Sequence, residues 1–302
     1  MTTTAGAVVV PRIARASRAA AAPRAWQRLA RNPLAFAGAI VLVLIVAAAI
    51  AAPQISSHDP ARQSLMRRYV PPTGFPGARV EHPLGTDQIG RDVLSRIIHG
   101  ARISLIVGVC AVVLSSTVGV TLGLLSGFAA GRVDTVIMTI VDVMLSFPAL
   151  LLALAFAAAL GPSLSTVILV LGLTGWERYA RVVRAEVLAL RERDFVEAAR
   201  AMGAGAARIV WRHVLPNTLS NVIVLATLQV AQAILAEAAL SFLGVGTGKA
   251  HPTWGQMIAQ GRDVVTLAWW LPTIPGLAIL VTVLSINLLG DGLRDALDPR
   301  TT

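Results

Sequence analysis

Apolar residues in this 302-residue chain fall in long blocks, separated by short stretches where charge, proline and glycine gather. The first block, Leu34 to Ala52, is 19 residues long, enough for a helix to cross about 30 Å of hydrocarbon. Others run from about Ile103 to Gly127, Val133 to Leu160, Thr218 to Leu243 and Trp270 to Leu289, and each is read as a membrane-spanning helix. The Val133 block is long enough to tilt or bend and carries Pro148 inside it. A tight turn, GPS at 161–163, then sends the chain back antiparallel. The next apolar run, Thr166 to Trp176, is short, and "ERYARVVRAEVLAL" follows it directly. A continuous fourth span is expected there, with Glu177, Arg178 and Arg181 facing protein or the interface. A charge at the bilayer centre costs about 2.5–3.5 kcal/mol on insertion scales, which neighbouring helices offset. The pattern predicts an all-α polytopic membrane protein with six spans.

Between the spans lie a long polar loop and a charged hairpin. Residues 53–102 form an extramembrane loop that ends in an amphipathic segment, with Val93, Leu94, Ile97 and Ile98 opposed to Arg91, Asp92, Arg96 and His99. Residues 103–290 form a five-helix core, and 194–216 inside it read as two short helices. Asp194 and Glu197 have capping-box spacing. Phe195, Ala199 and Met202 fall on one stripe, and Gly203 and Gly205 can supply a left-handed helix end. The second short helix, Ala206 to about Val214, is expected to stop before Pro216, which suits the start of the next span.

Composition agrees with a membrane protein: 55% hydrophobic, only 14% charged, mean hydropathy +0.70. Lys and Arg total 26 against 16 acids, but in so Arg/Ala-rich a chain this says little about nucleic acid, and no nucleic-acid partner is expected. Residues 1–33 form a basic tail with six arginines and no acid. With both termini and the hairpin in the cytoplasm, 17 of the 26 cations lie inside, including those of the 291–302 tail. The lone Cys110 lies in an apolar run and is read as a buried spare thiol.

Candidate chemistry is sparse. "GVGTGKA" at 244–250 resembles a phosphate loop, but Leu243 and Ala250 stand where glycine and Ser/Thr are needed, and an apolar helix precedes it. His58, His82, His99, His213 and His251 are scattered, with no helical pair of metal-ligand spacing, so neither a metal nor a catalytic site is expected. Polar residues inside spans are the remaining candidates. Asp142 with Pro148 would line a path or hold a bend, or Asp142 would only accept from a neighbouring helix; Gln229, Gln232 and Glu237 share roughly one face, for lining or for pairing between helices. A self-sufficient transporter or channel with Asp142 and Glu237 as ion relays is the alternative reading, although no clear internal repeat supports it.

One resemblance is specific. "EAARAMGAGAARIVWRHVLP" matches the signature of permease subunits of binding-protein-dependent ABC importers, with Glu197, Ala198, Ala199, Gly203, Leu215 and Pro216 in register and His213 in place of isoleucine. "HPLGTDQIGRDVLSRIIHGARISL", "DTVIMTIVDVMLSFPALLLALA", "ILAEAALSFLGVG" and "NLLGDGLRDALDPR" resemble the second permease of the dipeptide, oligopeptide and nickel subgroup. The resemblance implies a non-catalytic subunit of an ABC type I importer in a bacterial inner membrane, with 194–216 coupling to an ATPase. It also implies a homologous second permease, two ATPase subunits carrying ATP and magnesium, an extracytoplasmic substrate-binding protein, and a dipeptide or oligopeptide cargo. Nickel import is the alternative within the subgroup.

Overall fold

The computed structural model describes residues 32–248 and 251–297. Most of the basic tail and the last residues of the C-terminal tail lie outside the described residues. The chain enters α1 (Pro33–Ile50) at Asn32, whose Oδ1 accepts from the amides of Leu34 and Ala35 while Pro33 fills the first helical position. One further helical turn, α2 (Ala52–Ile55), leads into the loop. The predicted amphipathic segment and second span form a single helix, α3 (Val93–Ala129), capped by Asp92 Oδ2 on the Ser95 amide at 2.8 Å.

The predicted third span is two helices, α4 (Gly131–Ser146) and α5 (Ala149–Leu160), which meet at 90° across Phe147 and Pro148. Proline cannot donate to the turn before it, and it pushes Phe147 to extended backbone, so the helix breaks rather than curves. The continuous fourth span expected from the sequence is also interrupted, into α6 (Leu164–Leu173) and α7 (Trp176–Leu190), at Thr174 and Gly175. Together they still follow α3 end to end. Val167, Val170 and Leu171 pack with Val107 and Ala111, and Val187 meets Gly127 at the far end. That stretch of α3 is about 30 Å long at 1.5 Å per residue.

Small residues make this pairing close. Gly119, Gly123 and Gly127 stand four apart on α3, and a Cβ on any of them would come within 3 Å of α7 atoms. Ala111 and Ser115 extend the row. Cys110, beside this packed face, is turned outward and exposed, not buried as the sequence suggested.

The hairpin comprises α8 (Asp194–Ala201) and α9 (Ala206–Ile209). α9 does not stop before Pro216: a π turn, Val210–Val214, carries it into α10 (Leu215–Phe242). The Leu215 amide reaches back five residues to the Val210 carbonyl. Widening the turn makes room for a proline that lacks the amide for a normal bond. The loop after α10 holds a helix that the polar pattern did not predict, α11 (Trp254–Arg262), and α12 (Trp270–Leu297) runs past the expected end of the last span. Among the described residues α1, α3, α9–α10 and α12 are long and apolar enough to cross a membrane unbroken, and α4–α5 would be a fifth span with a bend.

Candidate functional site

Two places concentrate polar and exposed groups: the hairpin, and a cavity where both interrupted helices meet. In the hairpin, helix α8 begins one residue earlier than a capping box requires. Arg193 is the cap and no side chain bonds the first amides, so Asp194 and Glu197 lie exposed in the first turn, where carboxylates favour the helix dipole. Gly203 ends the helix at φ +82°. The Gly203 amide bonds the Arg200 carbonyl at 2.9 Å and the Ala204 amide bonds the Ala199 carbonyl at 3.0 Å, a Schellman closure. Gly205 has φ −68° and takes no part in it.

The hairpin is packed against the bundle rather than cantilevered from it. Val196, Ala199, Ile209 and Val214 are buried in one cluster with Tyr179, Val183 and Val187 of α7. Phe195 and Met202, expected to share a stripe with Ala199, instead point away from it. With Trp211 they leave three large apolar side chains exposed by 42%, 81% and 68% on the free face. His213, the departure from the family signature, lies with its ring 6.4 Å from that of Phe195. Leu215 is half-buried and Pro216 exposed in the first turn of α10.

The cavity has a volume of about 300 Å³. Thr174 and Gly175 at one break and Ala149 and Leu150 just after the other line it, with Ser115 on α3. Arg178, Gln229 and Gln232 supply the strongest polarity, and Arg178 Nη1 donates to Gln229 Oε1 at 3.2 Å. Sequence reasoning had turned Arg178 toward protein or the interface; it faces protein, and its partner is this neutral amide. The break at Thr174–Gly175, which brings Arg178 here, left only a weak signal, a glycine between two helical patterns.

The other path candidates lie elsewhere. Pro148 sits at the bend just outside the cavity wall. Asp142 is on an exposed face, paired with Arg181, while Asp134 nearby accepts from Arg184 Nε at 2.5 Å. Glu237 diverges from Gln229 and Gln232. It is fully buried, accepting from Ser241 Oγ at 2.7 Å and Ser104 Oγ at 3.3 Å.

A second polar knot forms in the long loop. Asp87 Oδ2 accepts from Arg91 Nε and Arg96 Nη1, both at 2.6 Å, and both arginines also donate to Gln260 of α11 at 3.0 Å. Gly90, at φ +77°, passes so close to Ser64 that a Cβ would overlap its carbonyl oxygen.

A bundle of apolar helices, two of them broken at a shared cavity, with a rigid hairpin at one end, defines a multi-span membrane permease. Residues 119–302 match the family described as "Binding-protein-dependent transport system inner membrane component", and 23–72 match the "N-terminal TM domain of oligopeptide transport permease C". This chain belongs to the binding-protein-dependent transport permeases. It is 46% identical over 275 residues to the di/tripeptide transport system permease protein DppC of Pseudomonas aeruginosa, covering 91% of each chain. Against the dipeptide transport system permease protein DppC of Bacillus subtilis it is 40% identical over 277 residues, 91% of this chain and 85% of that one. A solved inward-facing structure of the MetNI methionine ABC transporter shares the fold, with TM-score 0.55 at 20% identity, over 67% of this chain and 96% of that one. Membership sets aside the self-sufficient transporter with Asp142 and Glu237 as relays, and neither residue lines the cavity.

Proposed function

We propose that this chain is a non-catalytic permease subunit of an ATP-driven importer of dipeptides or other short peptides. α8 is its docking segment for a cytoplasmic ATPase, through Asp194, Glu197, Ala198 and the exposed Phe195 and Met202, while Ala199 and Gly203 hold the hairpin rigid and Leu215 and Pro216 join it to α10. The observation that carries this is the free face of the hairpin: large apolar side chains, exposed on an element whose other face is locked into the core, are a built contact surface. Peptide as cargo rests on the named activity of the relatives. Hydrolysis of ATP with magnesium belongs to two partner ATPase subunits. A homologous permease completes the path, an extracytoplasmic protein delivers the peptide, and both termini face the cytoplasm of a bacterial inner membrane. Arg178, Gln229 and Gln232 face the substrate path at the junction of the broken helices, in a cavity at the lower end of the roughly 300–1,000 Å³ range of ligand sites.

The test is isolation of the tagged chain in mild detergent from its native membrane. A P-loop ATPase and a second permease are expected in the preparation, and the ATPase should be lost from Met202→Asp while the second permease stays. Retention of the ATPase by that variant would refute the docking assignment.

A further inference from the structure

Three stretches of the long loop that are far apart in sequence converge at the start of α3. His58 follows α2, His82 lies at the middle of the loop, and Asp92 caps α3. One donor atom from each side chain lies within 4.8 Å of one from each of the other two. His82 and Asp92 are 3% and 2% exposed, and the two imidazole rings lie 4.7 Å apart. The backbone of His58 is held in place by its amide, which donates to Ser95 Oγ at 3.3 Å on the first turn of α3.

We propose that His58, His82 and Asp92 form a binding site for a transition-metal dication of the zinc type. Two imidazoles and one carboxylate are the donor set of three-ligand zinc sites, with a water in the fourth position. Imidazole donors favour zinc, cobalt or nickel over magnesium and calcium, which take oxygen ligands. His82 Nδ1 and Asp92 Oδ1 stand 2.9 Å apart. Two ligands of one tetrahedral ion, each bonded at about 2.0–2.1 Å, stand about 3.3 Å apart, so this edge is nearly formed. Binding replaces the Nδ1 to Oδ1 hydrogen bond, with the imidazole proton held on Nε2 or released to water. Arg67, whose Nη1 is 3.5 Å from His82 Nε2, does not block the ion: its part-exposed side chain is already held by Glu81 at 2.6 Å. Only His58, half-buried at the open side, has to close in.

The site lies at the opposite end of α3 from the hairpin, about 56 Å away along 37 residues at 1.5 Å each. A bound ion would clip the loop to α3 on the face of the protein away from the docking segment.

The experiment titrates the full chain, tag removed and in detergent, with Co²⁺, following the visible absorption of four-coordinate cobalt and counting metal by mass spectrometry. One cobalt per chain, displaced by Zn²⁺ and not by Mg²⁺, is the expected result. His58→Ala should weaken binding by about tenfold or more, leaving the thermal unfolding of the metal-free chain unchanged. Asp92→Asn, which keeps an N-cap on α3, should weaken it comparably. Absence of saturable binding, or equal binding by wild type and both variants, would overturn the site.

Discussion

Substituting alanine at Gly123 tests whether the glycine row on α3 sets the distance between α3 and α7. The added Cβ would stand 2.8 Å from both the Ala180 carbonyl oxygen and Val183 Cβ, where ordinary contact begins near 3.4 Å. At Gly119 the nearest atom, the Trp176 carbonyl oxygen, is 2.3 Å away, and at Gly127 Val187 Cβ is 2.7 Å away. Backbone and Cβ atoms cannot rotate aside, so the helices must part by roughly 0.6–1.1 Å, the shortfall in packing distance. Overpacking of this kind costs about 1–3 kcal/mol for each single variant. One rigid-body separation relieves all three clashes together, so the triple alanine variant should be less destabilised than the three singles added. Gly276 in α12 is the control: nothing lies within 4 Å of its Cβ position, and alanine there should be neutral or gain up to about 1 kcal/mol of helix propensity. Equilibrium unfolding of the purified chain by a denaturing detergent, followed by tryptophan fluorescence, reads the five variants and the wild type on one scale. Neutral single variants, or a triple loss equal to the sum, would refute the close-approach account.

Asp87→Ala removes the acceptor shared by Arg91 and the buried Arg96, and should lower stability by about 3–5 kcal/mol in the same assay. Glu81→Ala, which breaks the part-exposed pair with Arg67, should cost under about 1 kcal/mol. Gly203→Val forces a β-branched residue into φ +82° and strains the Schellman closure by about 1–2 kcal/mol at a position where an added Cβ has no neighbour within 4 Å; peptide uptake should fall with membrane levels of the chain unchanged. Gly205→Ala, at φ −68° in open space, should leave uptake intact. Glu237→Gln keeps an acceptor oxygen for one of Ser104 and Ser241 and an amide N–H that can donate to the other hydroxyl, and should transport like wild type, whereas Glu237→Leu leaves both hydroxyls short of a partner and should lose about 1–3 kcal/mol of stability, read by thermal unfolding.

The long apolar blocks were legible because a membrane span is a bulk property: some 20 residues of hydrocarbon character announce a helix whatever their neighbours. The breaks were less legible. Pro148 marked a bend, but its 90° angle depends on how α5 packs against α6, and the Thr174–Gly175 interruption rests on one glycine. Gly203 could be read as a helix end because left-handed backbone favours glycine, yet the same reasoning applied to Gly205 was wrong, since a tolerated conformation need not be used. The spacing of Gln229, Gln232 and Glu237 suggested one face, but eight residues turn a helix far enough to send Glu237 to Ser104 on α3 while the glutamines face the cavity. His58 and His82 looked scattered because only the folded loop brings them together.

Helix α7 links the two candidate regions. Near its start Arg178 faces the cavity; at its end Val187 meets Gly127, and Val183 and Val187 share a cluster with Val196 and Ala199 of the hairpin. Arg178 and Val187 are about 14 Å apart along the helix. A partner that shifts α8 therefore presses on the same rigid element that carries the cavity guanidinium, with no loop between them to absorb the movement. The break at Thr174–Gly175 lies on the far side of Arg178, so α7 can pivot there while α6 stays packed on Val107 and Ala111. Closing that break into one continuous helix, by Gly175→Ala with Thr174→Ala, should leave ATPase docking intact and reduce ATP-driven peptide uptake. Full uptake by a folded, ATPase-bound variant would show that the pivot is not used.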